Sequence, residues 1–275
     1  MTLYLFTFLV YIGRHSQEDL IRCFKLLISS LNNQNIDFKI ICYTNFNPNV
    51  NDTNVTYRKY YDNSKQPLYN DRWLNLSFNK INIYKDLYDE TSINYTWIDL
   101  DTIVTHDISY LSKLDNFFII KGGISNTIEE IFTNFKPEKS TKACDAIQGN
   151  LWKLNIDLYH KLISTFHEES KKGLIFDYDT QGLFNYYINT KGNTEGINII
   201  GKNCYENCLN GLGVWSNNGF NKHGNLEALE QMYYDENNIL RTKYYPDKEI
   251  HLISFTFYTI KDLWNHPLFK KLFLH

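Results

Sequence analysis

The sequence predicts an α/β fold, a single domain whose mostly parallel central sheet is flanked by helices. Three observations predict it. Short apolar, β-branched runs suited to buried strands alternate with segments whose apolar residues recur at helical spacing. That alternation implies parallel pairing, with the connecting helices laid over the sheet. The 275 residues, 43% of them hydrophobic, are enough for one sizeable core.

The elements follow in order. Residues 3–11 are apolar, β-branched and aromatic, and read as a first, fully buried strand. Ser16 suits an N-cap, with Asp19 at the third helical position, and Leu20, Phe24, Leu27 and Leu31 form an apolar stripe behind it. Residues 37–43 and 55–60 read as the second and third strands. A helix over 70–88 puts Leu74, Phe78, Ile81 and Tyr88 on one face, and a buried strand that ends in the pair Asp99 and Asp101 follows. Residues 117–121 and 146–154 read as strands, 156–166 and 180–188 as helices, 250–257 as a late strand and 260–273 as a terminal helical segment. The Asn- and Gly-rich stretch 189–225 reads as long loops, which usually carry function. No linker or internal repeat divides the chain.

Composition excludes some functions. A net charge of −3 gives no support for nucleic-acid binding, which needs a basic patch. The five cysteines are odd in number, and Cys204-x3-Cys208 lacks a partner pair at zinc-site spacing, so buried free thiols in a reducing compartment are expected. The apolar N-terminal run is too short for a membrane span and lacks a basic flank or cleavage site. No later segment is long enough to span a bilayer. A soluble, cytoplasmic protein is the expectation.

The stretch Tyr95-Thr-Trp-Ile-Asp-Leu-Asp-Thr-Ile-Val104 carries the chemistry. In a continuous strand Asp99 and Asp101 project to the same face, with Cα atoms roughly 6–7 Å apart. Paired carboxylates repel and are costly to bury unless a cation or donors satisfy them. Oxygen ligands favour Mg²⁺ or Mn²⁺, often shared with phosphates. The alternative is a turn with solvated or capping aspartates, and Asp177-Tyr-Asp179 repeats the spacing. Parallel sheets bind ligands beyond the carboxyl ends of their strands. The end of the first strand, with Thr7, Phe8 and Tyr11, and the acidic pair are the candidates for that edge.

Ile98-Asp-Leu-Asp-Thr-Ile-Val104, followed by Asp107-Ile108, resembles the DxD segment of GT-A fold glycosyltransferases, most of all the glycogenin-like family 8 group. Lys80 stands where that group keeps a Lys ahead of the DxD strand. Phe176-Asp177-Tyr-Asp179-Thr180-Gln181-Gly182-Leu-Phe-Asn185 resembles its Asp-Gln-Gly-x-x-Asn segment. Ile250-His251, then Lys261 and Trp264, resembles its C-terminal His…Lys-Pro-Trp element. There are departures: Thr180 replaces the Asp before Gln181, Ile147-Gln148-Gly149 replaces Asn-Ser-Gly, the gap from His251 to Lys261 is longer, and the Pro is missing.

The resemblance implies one GT-A-like domain with a Rossmann-like sheet, residues 1–110 binding a nucleotide sugar and 111–275 facing the acceptor. It implies metal-dependent transfer from a UDP-sugar to a glycan or protein acceptor, with retention. Asp101 would bind the metal directly, Asp99 would bridge metal and ribose, and His251 would be the third ligand. An imidazole in the set favours Mn²⁺ over Mg²⁺. Lys80 and Lys261 would meet the phosphates, and Asp179 and Gln181 would border the sugar. Each has a plainer reading: a core histidine for His251, a solvated helix face for Lys80, a helix cap for Asp179.

Two rival functions stand beside this one. A nucleotide-sugar-binding protein that has lost turnover would explain Thr180. A haloacid-dehalogenase-like phosphatase also ends a strand in Asp-x-Asp, but on its first strand, and here nearly a hundred residues precede the motif.

Overall fold

The computed structural model describes residues 1–61, 72–120, 147–174, 176, 180–200, 230–243, 246–247, 249–254, 266–268 and 270, without the side chains at 72–75, 120, 148, 242 and 254. In chain order its strands are β1 (Leu3–Leu9), β2 (Phe38–Thr44), β3 (Val55–Lys59), β4 (Thr96–Ile98), β5 (Thr102–Val104), β6 (Phe117–Ile120), β7 (Ile147–Lys153), β8 (Asn198–Ile200), β9 (Met232–Tyr234), β10 (Leu240–Thr242) and β11 (Leu252–Ser254). The helices are α1 (Gln17–Asn33), α2 (Arg72–Thr91), α3 (Ile156–Lys171) and α4 (Thr180–Asn185), the last running into a π-helical turn at Tyr186–Thr190.

Alternation along β1 decides how the sheet is covered. Leu3, Leu5 and Leu9 enter one core layer, while Phe6 and Phe8 enter the other. A strand buried on both faces belongs in the middle of a sheet covered on both sides. β1 pairs parallel with β2 and with β4, and β2 pairs parallel with β3. β7 runs antiparallel to both β4 and β6, and β6 pairs parallel with β8. The result is one mostly parallel, seven-stranded sheet in the order β3-β2-β1-β4-β7-β6-β8. Strands from both halves of the chain share it.

The helices cover the two faces as their patterns dictate. Ser16 Oγ accepts the Asp19 N–H at 3.0 Å and caps α1. Leu20, Phe24, Leu27 and Leu31 are all buried in the layer that holds Leu3 and Leu5. On the opposite face α2 buries Phe78, Ile81, Tyr84 and Leu87, and Asn155 Oδ1 caps α3 through the Leu158 N–H at 2.8 Å. Cys23 and Cys42 are buried free thiols, and the other three cysteines lie outside the described residues. No described helix is long and apolar enough to cross a membrane.

The strand ends at the acidic pair as expected, and a second, unexpected strand follows it. The run 95–104 breaks at the acidic pair: β4 stays in the main sheet, and β5 leaves it to pair antiparallel with β11. The Asp99 N–H makes the last rung, to the Asn150 carbonyl at 2.8 Å. Beyond it the Val104 N–H is taken by Ser30 Oγ of α1 at 2.9 Å, so β5 is held to the helix instead. Asp99 and Asp101 therefore lie in the bend between two strands, not on one face of a continuous strand. The region expected as loops contains β8, and the β9–β10 hairpin was not expected at all. Most of the expected terminal segment 260–273 lies outside the described residues.

Candidate functional site at the acidic pair

Asp99 begins where β4 ends, beside the carboxyl end of β1. Its Oδ1 accepts the Trp97 indole N–H at 2.9 Å and the Lys80 ammonium at 3.0 Å. Both donors are held by packing. Trp97 is buried, with Phe6 and Phe8 edge-on at 5.0 and 4.9 Å and Trp152 stacked at 6.3 Å. Lys80 rides on α2 above the buried stripe of that helix, with its Nζ 4.5 Å from the Trp97 ring centre. The Lys80 and Asp99 side chains are 14% and 25% exposed, so the pair is largely shielded from water. Lys80 is thus a partner of the DxD pair, not a residue of a solvated helix face.

Asp101 is in a different electrical state. Burial, and after it the Asp99 charge, pushes its carboxyl well above the ordinary carboxylate range, against smaller opposing effects from its own backbone and Lys80. It lies close enough to α1 that its charge adds to burial in raising the Cys23 thiol. Among the described residues Asp101 forms no ion pair. Around the bend, Asn150 Oδ1, Thr102 Oγ1 and Thr7 Oγ1 are buried and have no hydrogen-bond partner among the described residues. A half-buried carboxyl held up in this way, beside a second carboxylate and an unpartnered amide oxygen, fits a hard divalent cation.

The acceptor-side segment is seated on β7 next to this bend. The Gly149 N–H donates to Gln181 Oε1 at 3.1 Å. A Cβ at Gly149 would stand 3.4 Å from Gln181 Cβ, so the glycine admits α4 at close range. Asn185 clamps Ile147: its Oδ1 accepts the Ile147 N–H at 2.8 Å, and its Nδ2 donates to the Ile147 carbonyl at 2.9 Å. Gln181 is thereby bound one residue before Asn150, the backbone partner of Asp99. Thr180 is buried at 1% exposure. Asp179, Lys261 and Trp264 lie outside the described residues.

Two residues expected to contact the donor, Thr7 and Phe8, are buried in the structure. Thr7 is fully buried and Phe8 is 6% exposed, because the period-two alternation of a doubly covered strand sends both inward. Phe8 packs on Tyr43, Tyr60 and Trp97, so these two side chains are core. Tyr11, past the end of β1, is 42% exposed, with its N–H and carbonyl both bound to the Asn45 amide at 2.8 Å.

His251 sits elsewhere than expected. The β5–β11 register pairs Ser254 with Thr102 and Leu252 with Val104. His251 therefore falls opposite Thr105, whose N–H donates to its carbonyl at 3.0 Å. Thr105 is four residues past Asp101, roughly 13 Å at strand rise. The His251 ring stacks on His106, with centroids 4.4 Å apart, and its Nε2 lies 3.2 Å from Glu249 Oε2. Burial lowers its pKa, opposed by the Glu249 contact. Among the described residues, His106, Glu249 and His251 are the group whose ligating atoms all come within 4.8 Å of one another. Neither aspartate belongs to that group, and Ser254, not His251, is the β11 residue opposite the start of β5. His106 and Glu249 carried no motif; Glu249 reaches His251 from two residues before it, and the β5–β11 pairing brings His106.

Compared with protein-family models and with curated proteins, the chain matches none.

Proposed function

We propose that the protein is a metal-dependent glycosyltransferase that takes a UDP-sugar as donor and a glycan or a protein as acceptor. The observation that carries this reading is the state of the acidic pair. Asp99 is oriented and compensated by Lys80 and Trp97, while Asp101 beside it is pushed up by burial and by Asp99. Asp99 and Asp101 would hold the ion. Bound there, a divalent metal supplies charge neutralisation for a diphosphate leaving group. With His251 in another cluster the donor set is oxygen only, which suits Mg²⁺ as well as Mn²⁺.

The chain's own groups fill the remaining roles. Lys80 places a positive charge at the mouth of the site, where a phosphate would meet it as a point charge. Gln181, held on β7, borders the space beyond the bend where the sugar would lie. Asp179 and Lys261 complete the proposed set on the sugar and phosphate sides. Tyr11 stands at the exposed end of β1, on the nucleotide side. Retention of configuration is what the family 8 resemblance implies.

One observation favours a second reading, a nucleotide-sugar-binding protein without turnover. Thr180 occupies the position of the family's carboxylate, and it is buried, out of reach of a sugar. A phosphatase of the haloacid-dehalogenase type is disfavoured, because the acidic pair follows the fourth strand of the chain. The test is turnover of UDP-glucose, UDP-galactose and UDP-N-acetylglucosamine with Mn²⁺ and with Mg²⁺. Metal-dependent release of UDP supports the transferase. Binding without release selects the second reading, and neither binding nor release sinks both.

A further inference from the structure

We propose that His106, Glu249 and His251 form a second divalent-metal site, for an ion of the Zn²⁺ class, that ties β11 to β5 away from the acidic pair. The geometry carries it. The ligating atoms of the three residues lie within 4.8 Å of one another. Glu249 Oε2 faces both imidazoles, 3.2 Å from His251 Nε2 and 3.6 Å from His106 Nε2. The two rings stack at 4.4 Å with 26° between their planes, so they present their nitrogens side by side.

The second observation is independent. The His251 side chain is 9% exposed, and its Nδ1 is buried without a hydrogen-bond partner. Among the described residues that nitrogen has no partner. The ring is also held in place before any ion arrives. Thr105 donates its N–H to the His251 carbonyl at 3.0 Å and its hydroxyl to the Ile250 carbonyl, and the Ile250 N–H binds the Leu240 carbonyl at 2.9 Å.

The chemistry selects the ion. Two imidazoles and one carboxylate are a donor set for Zn²⁺ and its transition-metal neighbours rather than for Mg²⁺ or Ca²⁺. The His106 and Glu249 side chains are 36% and 38% exposed, so an ion enters from solvent and its remaining positions go to water. The site does not depend on donor binding. Asp101 precedes β5 and His106 follows it, so the strand separates the two centres.

The test uses the full chain after dialysis against chelator, titrated with Zn²⁺ by calorimetry and with Co²⁺ by visible absorption. The expected result is one equivalent of Zn²⁺ per chain that depends on the two histidines, beyond any taken by the acidic pair, and visible bands from histidine-ligated Co²⁺. His106→Ala and Glu249→Gln should each weaken binding at least about tenfold. Both positions are partly exposed, and circular dichroism checks that the variants fold. Asp101→Asn should keep the equivalent. Absence of the equivalent in the wild type overturns the proposal. So do a Zn²⁺ stoichiometry and a Co²⁺ spectrum left unchanged by both His106→Ala and Glu249→Gln, or Co²⁺ bands lost in folded Asp101→Asn, which would assign the ion to the acidic pair. A failure of UDP binding leaves all of these readouts unchanged.

Discussion

Lys80 Nζ lies 3.0 Å from Asp99 Oδ1, and that one contact separates the two carboxylates of the bend into unlike partners. Asp99 shares its charge with an ammonium and an indole N–H. Asp101, two residues on, carries the burden of burial together with the Asp99 charge. The proposed metal would enter where one carboxylate is compensated and the other is raised.

Lys80→Met should expose that arrangement. The substitution keeps the aliphatic stem over Trp97 and leaves Asp99 without its cation. The side chains are well shielded, so the expected loss is about 1–3 kcal/mol of unfolding free energy, read from urea denaturation. Affinity for UDP with metal should fall as well. Unchanged stability together with unchanged affinity would show that the pair supports neither the fold nor the site.

Asp101 gives the metal-free protein a pH dependence with a definite sign. Its folded-state pKa is raised, so its contribution to stability is fully present below the unfolded value of about 3.9. That contribution is lost as pH rises through the folded pKa, because the unfolded chain gives up the proton first. Metal-free wild type should therefore lose stability from about pH 4 upward relative to Asp101→Asn, which lacks the titrating group. Mn²⁺ should reverse the loss at the upper end, since metal displaces the proton there. Parallel slopes for wild type and variant in chelator would remove Asp101 from this account.

Asn185 and Gln181 separate structure from chemistry within one segment. Asn185→Leu leaves the Ile147 N–H and carbonyl unpaired at a buried position, with an expected cost of about 2–3 kcal/mol. UDP affinity should change little where the variant stays folded. Gln181→Ala removes a single acceptor, from Gly149, at about 1 kcal/mol. If Gln181 also borders the sugar, its variant should lose turnover with UDP affinity retained. Equal losses of stability in the two variants, with turnover intact in Gln181→Ala, would make the whole segment structural.

The sheet was legible because its signals are local. The Ser16 cap, the Leu20 to Leu31 stripe and the alternation in β1 each specify an element through its own residues. The departure of β5 from the sheet was not legible, since the residues that hold it, Ser30 on α1 and Leu252 to Ser254 on β11, are distant in sequence. Short strands such as β9 and β10 carry too few residues to show a period. The acidic pair stood out as a motif, and its compensation by Lys80 and Trp97 needed the packing of α2 on the sheet. His251 was expected as a ligand from the resemblance of Ile250-His251 to the family 8 element, and its apolar flanks only placed it on a strand. Glu249 lies at strand spacing two residues before His251, but His106 was set by strand register, which a spacing argument cannot supply.

The central claim is that Asp99 and Asp101 bind a metal that recruits a nucleoside diphosphate. Calorimetric titration of UDP into wild type and Asp101→Asn, each with Mn²⁺ and with EDTA, tests it most directly. The account predicts binding in the range of about −4 to −8 kcal/mol for wild type with Mn²⁺. It predicts clearly weaker binding in EDTA, and equally weak binding in folded Asp101→Asn under both conditions. The same affinity for wild type in Mn²⁺ and in EDTA would contradict it.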